Sequence, residues 1–285
     1  MKLSSALFAA ALVLAPAVAA PVVQAQDAEI WREVAPENLW VIDTTKGRIL
    51  VELAPEMAPL SVERIQTLTR QGFYQDHAFH RVIRNFMAQT GDPTGTGAGD
   101  SDLPDVAGEF TFRRGRRPAF IETPTGREDR AVFGLYGAMP VRTQPDAQMF
   151  ITADNRVDGM GYFCPGVAGM ARSSSPDSAN SQFFFMTAYR SNLNGQYTPF
   201  GRVLQGLDVV EALKAGREED DGAVTDPDRM LSARLAADMP PDQRPSARVL
   251  DARSPRMVEI VQAAVAERGD RLSVCDVVPP VRIEG

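Results

Sequence analysis

Histidine, cysteine and tryptophan are scarce in this 285-residue chain, with two of each. His77 and His80 have no third ligand at metal-binding spacing, and no Cys/His cluster is present, so a zinc site is excluded by spacing. Two cysteines cannot build a disulfide-dense miniprotein. Excess positive charge is also missing. A formal net charge of −7 excludes bulk attraction to a nucleic-acid backbone. Past residue 25 no apolar run reaches the ~20 residues that span a bilayer. The stretch Gly95-Thr96-Gly97-Ala98-Gly99 lacks a Lys-Ser/Thr pair and opens no helix, so it is not a phosphate loop but a tight loop. Ser181 lacks the Gly-x-Ser-x-Gly setting of a hydrolase nucleophile.

What is present describes a folded chain. Hydrophobic residues at 44% and charged residues at 24% are globular values, and 22 Gly with 21 Pro favour many turns over long helices. The first 25 residues read as a secretory leader: Lys2, then an apolar run from Leu3 to Ala15 relieved by Ser4 and Ser5, then Pro16. Cleavage after Ala25 is preferred to cleavage after Ala19, because polar Gln26-Asp27 follows. The alternative, an uncleaved anchor, has too short a run. The expectation is an exported protein, periplasmic in a Gram-negative source and secreted otherwise. In an oxidising compartment Cys164 and Cys275 either pair, closing a loop of about 110 residues for at most ~4.7 kcal/mol, or stay as two buried thiols.

Alternation predicts a hairpin: strand Leu39 to Thr45 with a turn at Lys46-Gly47, then strand Arg48 to Leu53. Pro59 followed by Val62, Ile65 and Leu68, with Gly72 beyond, predicts a helix. Leu207, Val210 and Leu213 before Gly216 predict a second. Residues 79–89 and 166–203 are apolar and broken by glycine, as strands of a rolled sheet are. Residues 111–161 read as an inserted loop region, and 217–285 as a C-terminal extension packed on or continuing the body of 26–216. That tail carries one expected helix, Met257 to Glu267, and one expected strand, Leu272 to Val278.

The run from Phe79 through His80-Arg81-Val82-Ile83-Arg84-Asn85-Phe86-Met87-Ala88-Gln89-Thr90-Gly91 to Asp92-Pro93 resembles the signature strand region of the cyclophilin-type peptidyl-prolyl isomerases. Gly169-Met170-Ala171-Arg172 and the run from Asp177 to Phe184 resemble the second signature, and Phe200-Gly201-Arg202-Val203 the strand that follows. Two blocks in the right order are far more specific than one short motif. The resemblance covers about 39–110 and 162–216. It implies a mainly β fold, a closed eight-stranded antiparallel barrel capped by two helices.

The resemblance also implies the chemistry, which needs no cofactor. The barrier to rotation about an X-Pro bond, roughly 18–20 kcal/mol in amides, comes from amide resonance. A catalyst therefore has to favour the twisted state with its localised lone pair. Arg81 matches the catalytic arginine, a fixed guanidinium donor. Gln89 orients it. Phe86, Met87, Phe184 and Leu193 wall the slot for the proline ring, with Ala171, Gln182 and Tyr197 completing the substrate-binding set. From composition alone, those four wall residues would read as core. Asn192 falls where the family usually carries Trp or Phe, and Arg172 where many members have Asn.

The implied partners are proline-containing polypeptides, and the implied role is assistance to the folding of exported proteins. The rival reading is a non-catalytic peptide-binding module or holdase on the same scaffold. His80 is expected to satisfy buried hydrogen bonds beside Arg81, and His77 to sit in a loop. Arg113, Arg114, Arg116 and Arg117 form either a solvated loop tip or a weak contact with acidic groups of the envelope.

Overall fold

A computed structural model describes residues 29–128 and 130–285; the leader expected over residues 1–25 lies outside them. Strand β1 (Trp31–Glu33) precedes the hairpin β2 (Leu39–Thr44) and β3 (Gly47–Leu53), then helix α1 (Pro59–Arg70) and strands β4 (His77–Ala78), β5 (Arg81–Ile83) and β6 (Met87–Thr90). Residues 111–161 hold β7 (Phe112–Arg114), β8 (Phe120–Glu128), β9 (Ala131–Tyr136), β10 (Met139–Thr143) and β11 (Val157–Gly161). Next come β12 (Val167–Met170), β13 (Phe183–Met186), β14 (Pro199–Gln205) and the short α2 (Leu207–Glu211). The chain ends with β15 (Arg229–Leu235), β16 (Ser246–Leu250), α3 (Pro255–Arg268) and β17 (Val281–Glu284).

The hairpin and α1 form where sequence periodicity places them. Thr44 pairs with Gly47 across a two-residue turn, and Trp40, Ile42, Ile49 and Val51 are fully buried. Helix α1 buries Val62, Ile65 and Leu68, and the Glu109 carboxylate accepts from the amides of Leu60 and Ser61 at 2.9 Å each, satisfying orphan donors at its start.

The body is a curled antiparallel sheet of nine strands in the order β4-β15-β2-β3-β14-β12-β13-β6-β5. This half-barrel corrects the expected closed eight-stranded barrel. Its two edge strands, β4 and β5, are consecutive in the chain and interrupted by Phe79 and His80, with no ladder between them. Residues 222–228 run beside that interruption: Val82 N donates to Gly222 O at 2.8 Å, Val224 N to His80 O at 2.9 Å and Phe79 N to Asp228 O at 2.9 Å. Strand β15 lies inside the sheet between β4 and β2, so residues 229–235 belong to the body sheet. Alternating apolar residues mark strands, but nothing in them marks how a sheet ends.

Two further sheets depart from the sequence reading. Residues 111–161, expected as an inserted loop region, instead carry a five-stranded sheet, β7-β11-β10-β9-β8. In the tail α3 forms as expected, whereas residues 272–278 are irregular around one short 3-10 turn, Val274–Asp276, and the last strand is β17. Strand β17 pairs with β16, which pairs with β1, closing a three-stranded sheet. Among the described residues no helix is long and apolar enough to cross a membrane.

Strand β13 shows how the core is divided. Alternation sends Phe183 and Phe185 into the sheet interior, where Phe183 lies 5.0 Å from Trp40 between ring centroids. Phe184 and Met186 point the other way, into a second cluster with Met87, Phe163 and Leu193. That second cluster also takes in Leu250, Met257, Val261 and Val274 of the tail. Cys164 and Cys275 form a disulfide there, with Cα atoms 5.2 Å apart, so the tail is tied to the back of the second cluster.

Candidate active site

Four neighbouring strands set one row, three side chains and a glycine. Arg81 on β5 is paired with Gln89 on β6, and Gln89 with Phe184 on β13, which faces Gly169 on β12. Directly opposed residues share a face of the sheet, so the guanidinium, the amide and the ring are neighbours by register. Gly169 is needed for close approach: a Cβ there would lie 2.6 Å from Phe163 and 2.7 Å from Phe184. Both rings lie over the bare backbone.

The polar half of the row is a directed chain. Arg81 Nη1 donates to Gln89 Oε1 at 3.2 Å, and Gln89 Nε2 donates to Gln182 Oε1 at 2.9 Å. Gln182 Nε2 in turn donates to the carbonyls of Gly97 at 3.2 Å and Gly99 at 2.8 Å. Each amide has its acceptor engaged from one side and its donor from the other, which fixes its orientation. The glycine loop is itself held by Asp92, whose carboxylate accepts from the backbone of Thr94, Thr96 and Gly97. Burial works against the Asp92 charge, but these bonds keep its pKa below the usual carboxylate range.

The apolar half is a cleft of about 120 Å³ lined by Arg81, Phe86, Met87, Gln89, Ala171, Arg172, Phe184, Leu193 and Tyr197. Pockets for drug-sized ligands run to about 300–1,000 Å³, so this one suits a single small ring. Tyr197 meets Phe184 edge to face at 5.8 Å. The Arg172 guanidinium stacks 4.5 Å over Tyr197 and donates to Gln196 O at 2.9 Å. Arg190 lies 5.3 Å over Phe86 and donates to Asn85 O at 2.7 Å. Beyond Gln89, Ala171 and Arg172 a second cavity of about 290 Å³ opens, lined also by Asp100, Asp105 and Gln182.

The site therefore presents the guanidinium of Arg81, with Arg172 stacked on the far wall, beside a largely aromatic and aliphatic slot. Among the described residues no group of three His, Cys, Asp or Glu side chains could hold a metal. The sequence model of the family described as cyclophilin type peptidyl-prolyl cis-trans isomerase/CLD matches residues 39–235. The chain belongs to this family. A probable peptidyl-prolyl cis-trans isomerase of Brucella suis is 35% identical over 214 residues, covering 71% of this cyclophilin and 85% of the relative. A peptidyl-prolyl cis-trans isomerase-like protein of Aspergillus fumigatus is 30% identical over 195 residues, covering 68% and 93%. The crystal structure of cyclophilin AquaCyp293 from Hirschia baltica superposes with a TM-score of 0.78 at 35% identity, covering 89% of this chain and 93% of that one. That last likeness extends beyond residues 39–235.

Of the site residues expected from the sequence, Arg81, Phe86, Met87, Gln89, Ala171, Phe184, Leu193 and Tyr197 line the one cleft, and Gln182 stands behind Gln89. Asn192 is exposed on the short turn before Leu193. Arg172 supplies part of the wall instead, through its stacking on Tyr197. Sequence reasoning missed two contributors. Phe163 lies 5.7 Å from Phe184, and Asp221 grips Arg81 from a position 140 residues away, where it reads only as part of an acidic run.

Other expectations are corrected. His77 opens β4 and is buried instead of sitting in a loop. His80 is buried, and neither ring nitrogen makes a well-aligned hydrogen bond among the described residues, although the Ala78 backbone favours its charged form. Burial lowers the pKa of both histidines. The four arginines do not form one basic patch: Arg113 pairs with Asp154 and Asp158, and Arg114 is 1% exposed and bonded to Thr143 and Asp146. Arg116 lies over Phe150, and Arg117 lines a cavity shared with Arg32, Glu52 and Tyr136.

Proposed function

We propose that this cyclophilin accelerates cis-trans isomerisation of X-Pro bonds in exported polypeptides, with Arg81 as the catalytic residue. The proline ring occupies the slot between Phe86, Met87, Phe184 and Leu193. There it gains van der Waals contact without desolvating any polar group. Gln89 holds Arg81 and offers its amide to the peptide backbone. As the X-Pro bond twists, its nitrogen regains a lone pair, and an N–H of Arg81 Nη1 donates toward it. No covalent bond is made or broken.

The observation that carries this reading is the 3.2 Å bond from Arg81 to Gln89 at the rim of a cleft of about 120 Å³, a size that suits a single small ring. A charge-assisted hydrogen bond is worth ~1.5–3 kcal/mol, roughly ten- to a hundredfold in rate, so the slot and the backbone grip supply the remainder. Export is supported by the leader-like first 25 residues and by the Cys164–Cys275 pair, a kind of bond that persists in oxidising compartments.

The test is refolding of an unfolded secreted protein whose slow phase is a prolyl step of tens to hundreds of seconds. Substoichiometric chain is expected to shorten that phase, and Arg81→Ala to leave it near its uncatalysed rate. A slow phase untouched by the wild-type chain, with the client still bound, would instead support a non-catalytic binding module.

A further inference from the structure

The guanidinium of Arg81 has two edges, and only one of them faces the slot. Its Nη1 lies between Gln89 Oε1 at 3.2 Å and Met87 Sδ at 4.0 Å. The opposite edge is filled by a single residue. Arg81 Nη2 donates to Asp221 Oδ1 at 2.9 Å, and Nε donates to Asp221 Oδ2 at 3.2 Å and to the Asp221 carbonyl at 2.9 Å. This is a two-pronged carboxylate clamp, the pairing that fixes a guanidinium plane best.

The loop carrying Asp221 is built against β5. Gly216 N donates to Val82 O at 3.0 Å and Val82 N to Gly222 O at 2.8 Å, so the backbone on either side of Asp221 is pinned to the residue next to Arg81. Within the loop, Gly222 N donates to Arg217 O at 2.9 Å, and Arg217 pairs with Asp220 at 2.7 Å. Asp221 itself is in the left-handed region at φ 51, and Gly222 follows at φ 77, where a Cβ would meet Ile83 at 2.3 Å. The hydrogen bonds from Arg81 hold the Asp221 carboxyl below its ordinary pKa.

We propose that Asp221 is a positioning residue for prolyl isomerisation: it locks the Nε–Nη2 edge of Arg81 so that Nη1 alone is presented to the twisting amide. The proposal rests on Arg81 acting as described under Proposed function. It assigns a role to the acidic stretch from Glu218 to Asp221, which the slot does not otherwise use. Asp221 acts through Arg81 and is not itself among the residues that line the cleft.

The test is steady-state isomerisation of an Ala-Pro peptide by the full chain and by Asp221→Ala, Asp221→Asn, Asp221→Glu and the charge-matched control Glu218→Gln. Asp221→Ala is expected to lose about three- to tenfold in kcat with KM changed less than twofold, because the slot is untouched. Asp221→Asn, which keeps one oxygen and the shape, loses less. Asp221→Glu retains at least half of wild-type kcat, and Glu218→Gln stays within twofold. Wild-type kcat in both Asp221→Ala and Asp221→Asn would overturn the proposal, as would equal losses in Asp221→Ala and Glu218→Gln, which would reduce the effect to local charge. Should Asp221→Ala not fold, the contrast between Asp221→Asn and Asp221→Glu decides. An inert wild-type chain would take down the catalytic reading of Arg81 together with this one, whereas an active wild type with inert Arg81→Ala and unimpaired Asp221→Ala would remove only this one.

Discussion

Arg81 and Gln89 stand directly opposite each other on adjacent antiparallel strands, and the guanidinium donates to the amide oxygen at 3.2 Å. Register, not loop geometry, therefore delivers the donor to the slot. A one-residue slip of β5 against β6 would send Arg81 to the other face of the sheet.

Gln89→Ala removes the acceptor that orients Nη1 and breaks the amide chain to Gln182. Loss of one hydrogen bond to a charged group, discounted for partial exposure, is expected to cost about tenfold in kcat/KM. A coupled peptide assay beside a thermal melt checks this: the activity falls while the melting temperature moves by only a few degrees.

Gly169→Ala tests the aromatic wall. The new methyl would sit within 2.8 Å of both Phe163 and Phe184, so at least one ring has to shift, and Phe184 lines the cleft. Overpacking of this kind costs about 1–3 kcal/mol, and a narrowed slot raises KM. Urea unfolding and peptide kinetics on the same preparation measure both effects.

Reducing Cys164–Cys275 releases the tail from the second core cluster. With a sequence separation of 111 residues the stability loss is expected to be about 2–4 kcal/mol, below the loop-entropy ceiling. Denaturant midpoints with and without reductant, and of Cys275→Ser, report it; equal midpoints would show that the bond is dispensable.

The buried histidines give acid sensitivity with a definite sign. Burial depresses the folded-state pKa of His80 below the unfolded value near 6.5. Between those two values the unfolded chain binds more protons, so stability is full above about pH 6.5 and declines as pH falls toward the folded pKa. Glu56 and Asp100, whose pKa values burial raises, act in the opposite sense at lower pH. The His80→Gln variant isolates the histidine: its stability between pH 7 and 5 is expected to vary less than that of the wild type.

Much of the architecture can be read from local pattern. The hairpin from Leu39 to Leu53 alternates, and α1 is punctuated by Pro59 and Gly72, so short-range physics suffices there. The five-stranded sheet is harder, because its strands are interspersed with arginines, glycines and prolines; the apolar run Ala131–Tyr136 is its one clear signal. Strand β15 hides behind the acidic run of 218–221, and its place between β4 and β2 depends on pairing with residues some 150 to 190 positions earlier. The slot is legible only through the family resemblance: Phe86, Met87, Phe184 and Leu193 have the composition of a core, and Met87, Phe184 and Leu193 are in fact buried. Asp221 had no local signal at all, since its partner lies 140 residues away.

The most direct measurement is the isomerisation rate of a short Ala-Pro peptide with the purified chain beside Arg81→Ala, from pH 6 to 9. The account predicts measurable wild-type turnover with a nearly flat pH profile, and a loss of about ten- to a hundredfold in the variant with peptide binding retained. Equal rates for the two proteins, or a bell-shaped profile centred near neutrality, would contradict it.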